Sequence, residues 1–211
     1  KRGLVAQVPG LRVQGANGET IWDQSAYEFI KGEAPNSVNP SLWRQASLNN
    51  IHGLFKVTEN VYQLRGFDLA NITLIRGAVG WIVVDPATTA ETAEVAWNFA
   101  REQFGEMSIS AIVFTHSHID HFGGVLGLLK AAGTDPAKVR VIAPEGFMAE
   151  ATSENVIAGN TMGRRSVYMY GKQLAKSERG HVGSGLGKEP AFGAAAILAP
   201  TETVNRTPQK M

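Results

Sequence analysis

Three of the chain's five histidines lie in residues 115–124, which have the sequence T-H-S-H-I-D-H-F-G-G. Imidazole is the commonest metal ligand in proteins, and nitrogen donors beside a carboxylate suit Zn²⁺. Residues two apart in an extended segment point to the same side, so His116 and His118 can hold one ion together. Asp120 and His121 follow where the chain must turn. The spacing therefore predicts two donor pairs, one for each of two zinc ions.

An alternative interpretation is a polar loop whose histidines cap a helix or lie in solvent. The apolar run at residues 111–114 (A-I-V-F) predicts a buried strand that ends directly before the donors. Gly123 and Gly124 then permit a tight bend before the next element. Four donors within residues 116–121, immediately after a buried strand, favour the metal site.

The elements that must position this loop alternate between strands and helices, which indicates an α/β architecture. Thr89 is a plausible N-cap for a helix ending at Phe104. Residues 177–190 are Gly-rich and predicted to form a loop, whereas residues 191–198 fit either a helix or a strand, and residues 200–211 show no periodicity. Further predicted strands cover residues 55–65, 71–76, 81–84 and 139–143, and further predicted helices cover residues 23–31, 125–131, 146–156 and 162–175.

Composition excludes several classes of function. A net charge of +1 gives no electrostatic case for binding nucleic acid or an anionic membrane. The chain has no cysteine, so disulfides and thiolate metal sites are ruled out. No apolar stretch is long enough to span a bilayer. The segment from Gly183 to Lys188 lacks the spacing of a phosphate-binding P-loop, so a nucleotide site is not expected.

The H-x-H-x-D-H spacing resembles that of the metallo-β-lactamase superfamily. Segments outside this motif resemble the alkylsulfatase branch, whose members are zinc-dependent enzymes that hydrolyse dodecyl sulfate and related sulfate esters. The motif specifies only the superfamily, and the flanking segments point to the alkylsulfatases. These segments cover residues 47–57, 65–75, 80–86, 153–160, 164–171 and 182–188.

This resemblance implies a metallo-β-lactamase-like αββα sandwich, of which the chain holds only the first half. Residues 1–40 would form an N-terminal arm, and residues 41–211 the N-terminal part of the catalytic domain. In the alkylsulfatases further metal ligands come later in the sequence. We therefore expect two Zn²⁺ ions whose remaining ligands lie outside this chain, and residues 1–211 alone should be a poor enzyme.

Further site residues are predicted with alternatives left open. Asp85 is either a turn residue before Pro86 or, as the matching aspartate of the superfamily implies, a carboxylate that orients the metal loop. His181 and Lys188 either approach the sulfate or belong to a solvated loop. Asp120 is expected to position water as well as metal.

The function that the resemblance implies is hydrolysis of a small amphiphilic sulfate ester to alcohol and sulfate. The alternatives are another hydrolase of the same fold, acting on a thioester, lactam or phosphodiester, and an inactive truncated domain. The resemblance also implies a homodimer for the full-length protein and a periplasmic or secreted bacterial location, although the N-terminus shows no signal-peptide core.

Overall fold

The computed structural model describes residues 1–211 and contains ten strands and five α-helices. The strands are β1 Leu4–Ala6, β2 Arg12–Gln14, β3 Thr20–Asp23, β4 Gly53–Lys56, β5 Val61–Arg65, β6 Ile72–Arg76, β7 Trp81–Val84, β8 Ile109–Val113, β9 Arg140–Pro144 and β10 Glu202–Val204. The helices are α1 Pro40–Asn49, α2 Ala90–Phe104, α3 Val125–Ala132, α4 Phe147–Thr152 and α5 Gly159–Tyr170.

One mixed sheet of eight strands organises the fold, in the order β1-β4-β5-β6-β7-β8-β9-β10. Pairs from β1 to β7 are antiparallel, and pairs from β7 to β10 are parallel. In parallel sheets, functional residues collect beyond the carboxyl ends of the strands. Val84 pairs with Val113, so the chain leaves β7 and β8 side by side. Asp85 and the histidine segment therefore start next to each other.

Two helices cover this parallel part of the sheet and make the crossovers between its strands. Helix α2 starts after its N-cap Thr89, whose side chain accepts a hydrogen bond from the Thr92 amide. Its buried face includes Ala93, Ala96 and Ala100, at the spacing of one helical face. Helix α3 packs closely on α2. The α/β class predicted from the sequence is confirmed.

Several predicted elements differ from the structure. Residues 55–65 belong to two strands of a hairpin, β4 and β5, because the chain turns at the polar residues 58–60. The helix predicted for residues 23–31 is only a 3-10 turn, Ser25–Tyr27. Helix α4 is followed by a π-helical turn, Ser153–Ile157, and α5 ends at the left-handed Gly171, before the predicted residue 175. Residues 191–198 are irregular, and β10 pairs with β9 in the tail.

The N-terminal residues are tied to the rest of the fold. Strand β1 pairs with β4 in the main sheet, and β2 and β3 form a separate two-stranded sheet that contacts α2. The division into an arm (1–40) and a catalytic portion (41–211) stays a prediction. None of the helices combines the length and the apolar character needed to cross a bilayer.

Candidate metal centre

The histidine segment leaves β8 and brings its first two imidazoles together. The Nε2 atom of His116 lies 3.1 Å from Nδ1 of His118. The ring of His116 also lies beside that of His121, with 4.0 Å between the centroids. The extended backbone at His118 and the 3-10 turn Ile119–His121 produce this arrangement, because the turn brings the third imidazole back over the first.

Asp120 and His121 form the second pair of donors. The Nε2 atom of His121 lies 3.2 Å from Oδ2 of Asp120. A tetrahedral zinc ion with bonds of about 2.0–2.1 Å separates its ligand atoms by about 3.3 Å. The separations within both pairs are close to this value, and they are also those of direct hydrogen bonds, so an ion would have to replace the contact within each pair.

The other ring nitrogens of the first two histidines face outer partners. The Nδ1 atom of His116 lies 3.0 Å from the hydroxyl of Thr115. The Nε2 atom of His118 lies 3.8 Å from Oε1 of Glu154. Histidines that bind metal usually direct the second nitrogen to a carboxylate, carbonyl or water, which fixes the orientation of the ring. The ring of His116 has a hydroxyl in this place, and Glu154 lies near His118 but beyond hydrogen-bond distance.

Asp85 gives the third histidine its outer partner. Its Oδ2 atom accepts hydrogen bonds from Nδ1 of His121 at 2.8 Å and from the hydroxyl of Thr115 at 2.7 Å. Its Oδ1 atom accepts from the Thr115 amide at 2.8 Å. These contacts are the ones that an orienting carboxylate requires, while a simple turn residue needs none of them. The role of Asp85 towards a metal stays a prediction.

Charges within the cluster shift three pKa values. Burial lowers the pKa of His116, and the neighbouring His121 and His118 lower it further. Burial also opposes charge on His121, but the hydrogen bonds to Asp120 and Asp85 outweigh it and raise the pKa of His121 to about 9. Burial would raise the pKa of Asp120, but the hydrogen bond and charge of His121 hold it below its ordinary value. A metal must therefore displace a proton from His121.

The donor types of these residues suit zinc, and the separations within the pairs are close to those of ligands on a shared ion, so the four residues would supply part of a ligand set. No group of three or more histidine, aspartate or glutamate side chains has the geometry of a complete metal site. A catalytic zinc ion normally has three protein ligands and one open position. The four donors are therefore assigned as candidate ligands in pairs, His116 with His118 and Asp120 with His121.

Comparison with known proteins places the donor segment within a known family. Residues 65–201 match the family model described as the metallo-beta-lactamase superfamily, and this match contains all four donors. The chain belongs to this superfamily. Its fold is accordingly the metallo-β-lactamase fold, as the resemblance of the motif implied.

Within the superfamily, the chain is similar to alkylsulfatases. It is 43% identical over 95% of its length to an alkyl/aryl-sulfatase of Saccharomyces cerevisiae. It is 42% identical over 98% of its length to a linear primary-alkylsulfatase of Pseudomonas sp.. The solved structure of a stereoselective inverting sec-alkylsulfatase from Pseudomonas sp. superposes with a TM-score of 0.91 and 44% identity, over 98% of this chain and 33% of that chain. The chain spans 31% of the length of the first two relatives.

His181 and Lys188, the two residues predicted to bind substrate, lie outside the donor cluster. His181 is 3% exposed and its Nδ1 atom lies 3.0 Å from the Tyr27 hydroxyl. Lys188 is 2% exposed; its amine donates to the Ala46 carbonyl at 3.3 Å and to the Asn50 side chain. Both side chains are bound within the protein, so the solvated-loop interpretation does not describe them. A role in sulfate binding stays a prediction, and it requires this segment to open.

Sequence analysis missed the contribution of the π-helical turn to the site. Glu154 faces His118, and the side chain of Asn155 donates to the Ser117 carbonyl at 3.5 Å and to the Ala151 carbonyl at 2.8 Å. π-Helical turns are rare and frequently occur at functional sites. The pattern S-E-N-V-I has no feature that distinguishes such a turn from an ordinary helix, so only the structure reveals it.

Proposed function

We propose that the protein hydrolyses alkyl sulfate esters, such as dodecyl sulfate, to alcohol and sulfate, in a reaction that depends on zinc. The observation that carries the proposal is the 42–44% identity to three relatives named as alkylsulfatases, over 95–98% of this chain. The similarity thus extends far beyond the metal-binding motif, which many other hydrolases of the superfamily share.

The geometry of the donor cluster supports the choice of ligands in this proposal. His116 and His118 would hold one zinc ion, and Asp120 and His121 the other, with further ligands coming from outside residues 1–211. When bound, zinc would supply Lewis acidity, which makes water ionise near neutral pH and polarises the ester. Asp120 would also help to position the attacking water.

The chain's own residues would keep the imidazoles in the orientation that ligation needs. The carboxylate of Asp85 accepts the Nδ1 proton of His121, so that the Nε2 atom is directed towards Asp120. Thr115 donates to the same carboxylate from its amide and its hydroxyl. Three hydrogen bonds thus fix the Asp85 side chain, and through it the ring of His121.

The π-helical turn supports an amphiphilic substrate. Glu154 and Asn155 in this turn contact the histidine segment, and the next two residues, Val156 and Ile157, are 74% and 80% exposed. Exposed aliphatic side chains beside a polar centre provide apolar surface for an alkyl chain. A small hydrophilic ester would gain nothing from this surface.

The substrate class is tested on the intact protein. Sulfate release from dodecyl sulfate is compared with hydrolysis of the β-lactam nitrocefin, in the wild type and in His118→Ala as a control without a metal ligand. The proposal expects sulfate release that His118→Ala abolishes, and little turnover of nitrocefin. Efficient nitrocefin hydrolysis without sulfate release would identify another hydrolase of this fold, and no turnover of either would identify an inactive domain.

Two further features of the whole protein belong to this proposal. By resemblance to the alkylsulfatases, the intact protein would be a homodimer and would act in the periplasm or outside a bacterial cell. Light scattering of the purified protein and cell fractionation test these two expectations separately.

A further inference from the structure

A buried carboxylate outside the donor cluster has no part in the function described so far. Asp68 lies in the loop between β5 and β6 and is 3% exposed. Burying an ionised carboxylate is costly unless hydrogen bonds compensate for the lost water. The hydrogen-bond partners of this buried carboxylate therefore indicate which parts of the structure it holds together.

Both oxygens of Asp68 accept two hydrogen bonds each, three from Thr88 and Thr92 at the start of α2 and one from the neighbouring Leu69 amide. Oδ1 accepts from the Thr88 hydroxyl at 2.6 Å and from the Leu69 amide at 2.6 Å. Oδ2 accepts from the Thr92 hydroxyl at 2.5 Å and from the Thr88 amide at 3.1 Å. Burial raises the pKa of Asp68, while these hydrogen bonds and the dipole at the N-terminus of α2 act in the opposite direction. Asp68 therefore binds the β5–β6 loop to the turn that precedes α2.

The turn held in this way has a strained backbone. Asp85 and Ala87 have φ angles of 57° and 65°, in the left-handed region that residues with a side chain rarely adopt. Such conformations cost about 1–3 kcal/mol each and persist only where the surroundings impose them. The Asp85 amide donates to Val113 at one end of the turn, and Thr88 is fixed by Asp68 at the other.

The same turn contacts the histidine segment at both of its ends. Asp85 binds Thr115, before the donors, and the Ala87 carbonyl accepts from the Gly124 amide at 3.0 Å, after them. A Cβ atom at Gly124 would collide with the Pro86 carbonyl, so no larger residue allows this close approach. Any movement of the turn must therefore displace the donors.

We propose that Asp68 is a positioning residue for the metal centre, which through Thr88 and Thr92 holds the strained turn 85–88 and thereby sets the orientation of Asp85 and the spacing of the donors. This inference rests on the proposed function as far as the metal is concerned. The chain of contacts runs from Asp68 through Thr88 and Asp85 to His121. It assigns a function to a residue that touches no metal, substrate or reacting atom.

The test compares Asp68→Asn with the wild type. An amide has the shape of a carboxylate, but its NH2 group cannot accept from the Thr88 amide or the Thr92 hydroxyl. Zinc affinity, measured by competition with a chromophoric chelator, should fall, and by less than the about 10–100-fold expected when the direct partner Asp85 is replaced, because Asp68 acts on the ligands only through Thr88 and Asp85. Amide exchange at Thr88 and Thr115 should accelerate in the metal-free protein. The visible spectrum of the cobalt-substituted protein should also change, because it reports ligand geometry.

Two comparisons separate positioning from a general loss of stability. Trp43→Phe alters the smaller hydrophobic cluster, away from the turn, and should lower stability without changing zinc affinity. Thr88→Val should weaken zinc binding, as Asp68→Asn does, whereas Thr88→Ser should leave it unchanged. The loss of zinc-binding free energy in the double variant Asp68→Asn/Thr88→Val should be smaller than the sum of the two single losses. If Asp68→Asn proves unable to fold, the comparison of Thr88→Val with Thr88→Ser decides the question.

Two outcomes would overturn the inference. One is a folded Asp68→Asn variant with the zinc affinity and cobalt spectrum of the wild type. The other is a loss of affinity no greater than that in a Trp43→Phe protein of equal stability. In either case, a wild type that binds zinc and releases sulfate leaves the proposed function intact. A wild type that does neither would instead refute the proposed function, and amide exchange in the metal-free variants would still show whether Asp68 holds the turn.

Discussion

The Nδ1 atom of His121 lies 2.8 Å from Oδ2 of Asp85, a residue 36 positions earlier in the chain. This contact joins the end of β7 to the loop after β8, because the two strands are parallel neighbours. It directs Nδ1 towards Asp85 and Nε2 towards Asp120, so that a metal would take the place of the proton on Nε2 while Nδ1 keeps its own.

Replacing Asp85 by asparagine should weaken zinc binding by about 10–100-fold while the protein still folds. An amide supplies only one acceptor atom, whereas Asp85 accepts three hydrogen bonds through two oxygens. Chelator competition measures the affinity, and circular dichroism checks the fold. Asp135→Asn, on the exposed surface, is the matched control and should leave zinc binding unchanged. An unchanged affinity in Asp85→Asn would return this residue to the role of a turn former.

The metal content of the intact protein should be about two zinc ions per chain, one for each donor pair. His118→Ala should lower metal content and hydrolysis together, and Asp120→Asn should mainly empty the second site. Elemental analysis of the dialysed proteins measures both effects. His52→Gln is a suitable control, because the Nε2 atom of His52 lies 2.6 Å from the Val8 carbonyl, away from the cluster. Wild-type zinc content in both ligand variants would refute the ligand assignment.

Zinc affinity should increase with pH until about 9. The pKa of His121 is raised to about 9, so below that pH zinc must displace a proton from its ring. In the metal-free protein this folded pKa exceeds the unfolded value of about 6.5. The ion pair's contribution to stability is therefore fully present below pH 6.5 and is lost as the pH rises through about 9. Calorimetry at pH 7.5 in buffers of different ionisation enthalpy should detect proton release that decreases in Asp85→Asn; equal release in both proteins would count against this account.

Lys188→Met should stabilise the protein more at pH 6 than at pH 10. Burial lowers the pKa of Lys188 to about 7, whereas the unfolded value is about 10.4. Between these values the unfolded chain binds a proton at Lys188 that the folded chain does not, so the contribution of Lys188 to the free energy of unfolding falls as the pH falls from 10 to 7. The loss is at most about 1.4 kcal/mol per pH unit.

Urea denaturation of both proteins at the two pH values measures this difference. The contribution of His121 to the free energy of unfolding is the same in both proteins, so it cancels in the difference between variant and wild type. A difference in unfolding free energy that is the same at pH 6 and pH 10 would show that Lys188 stays charged in the folded protein. Its contacts with Asn50, Ala46 and the Tyr27 ring would then offset the burial.

The sequence predicts a helix or strand correctly where the residues that define its ends lie close together along the chain. Strand β7 is an apolar run with sharp ends, and α2 has a capping threonine directly before it, so both elements lie where predicted. The prediction of one strand over residues 55–65 is wrong, because apolar residues on both sides of a short polar turn resemble a continuous strand. The π-helical turn Ser153–Ile157 was missed because apolar spacing does not reveal its backbone hydrogen-bond pattern.

The same distinction holds for the candidate site. His116, His118, Asp120 and His121 stand within one short segment, so their residue types alone indicate the chemistry. Glu154 and Asp68 contribute through contacts across 36 and 20 residues, which no local pattern shows. Asp85 entered the prediction through the superfamily resemblance, since a V-V-D-P sequence by itself is equally typical of a turn.

The central claim, that this donor cluster supports zinc-dependent hydrolysis of alkyl sulfates, is tested most directly by reconstitution. The intact protein is stripped of metal with a chelator, and sulfate release from dodecyl sulfate is measured as zinc is added back, with His118→Ala in parallel. We predict no release without metal, recovery that is complete at about two zinc ions per chain, and no recovery in the variant. Full release of sulfate from the metal-free protein, or equal recovery in His118→Ala, would contradict the account.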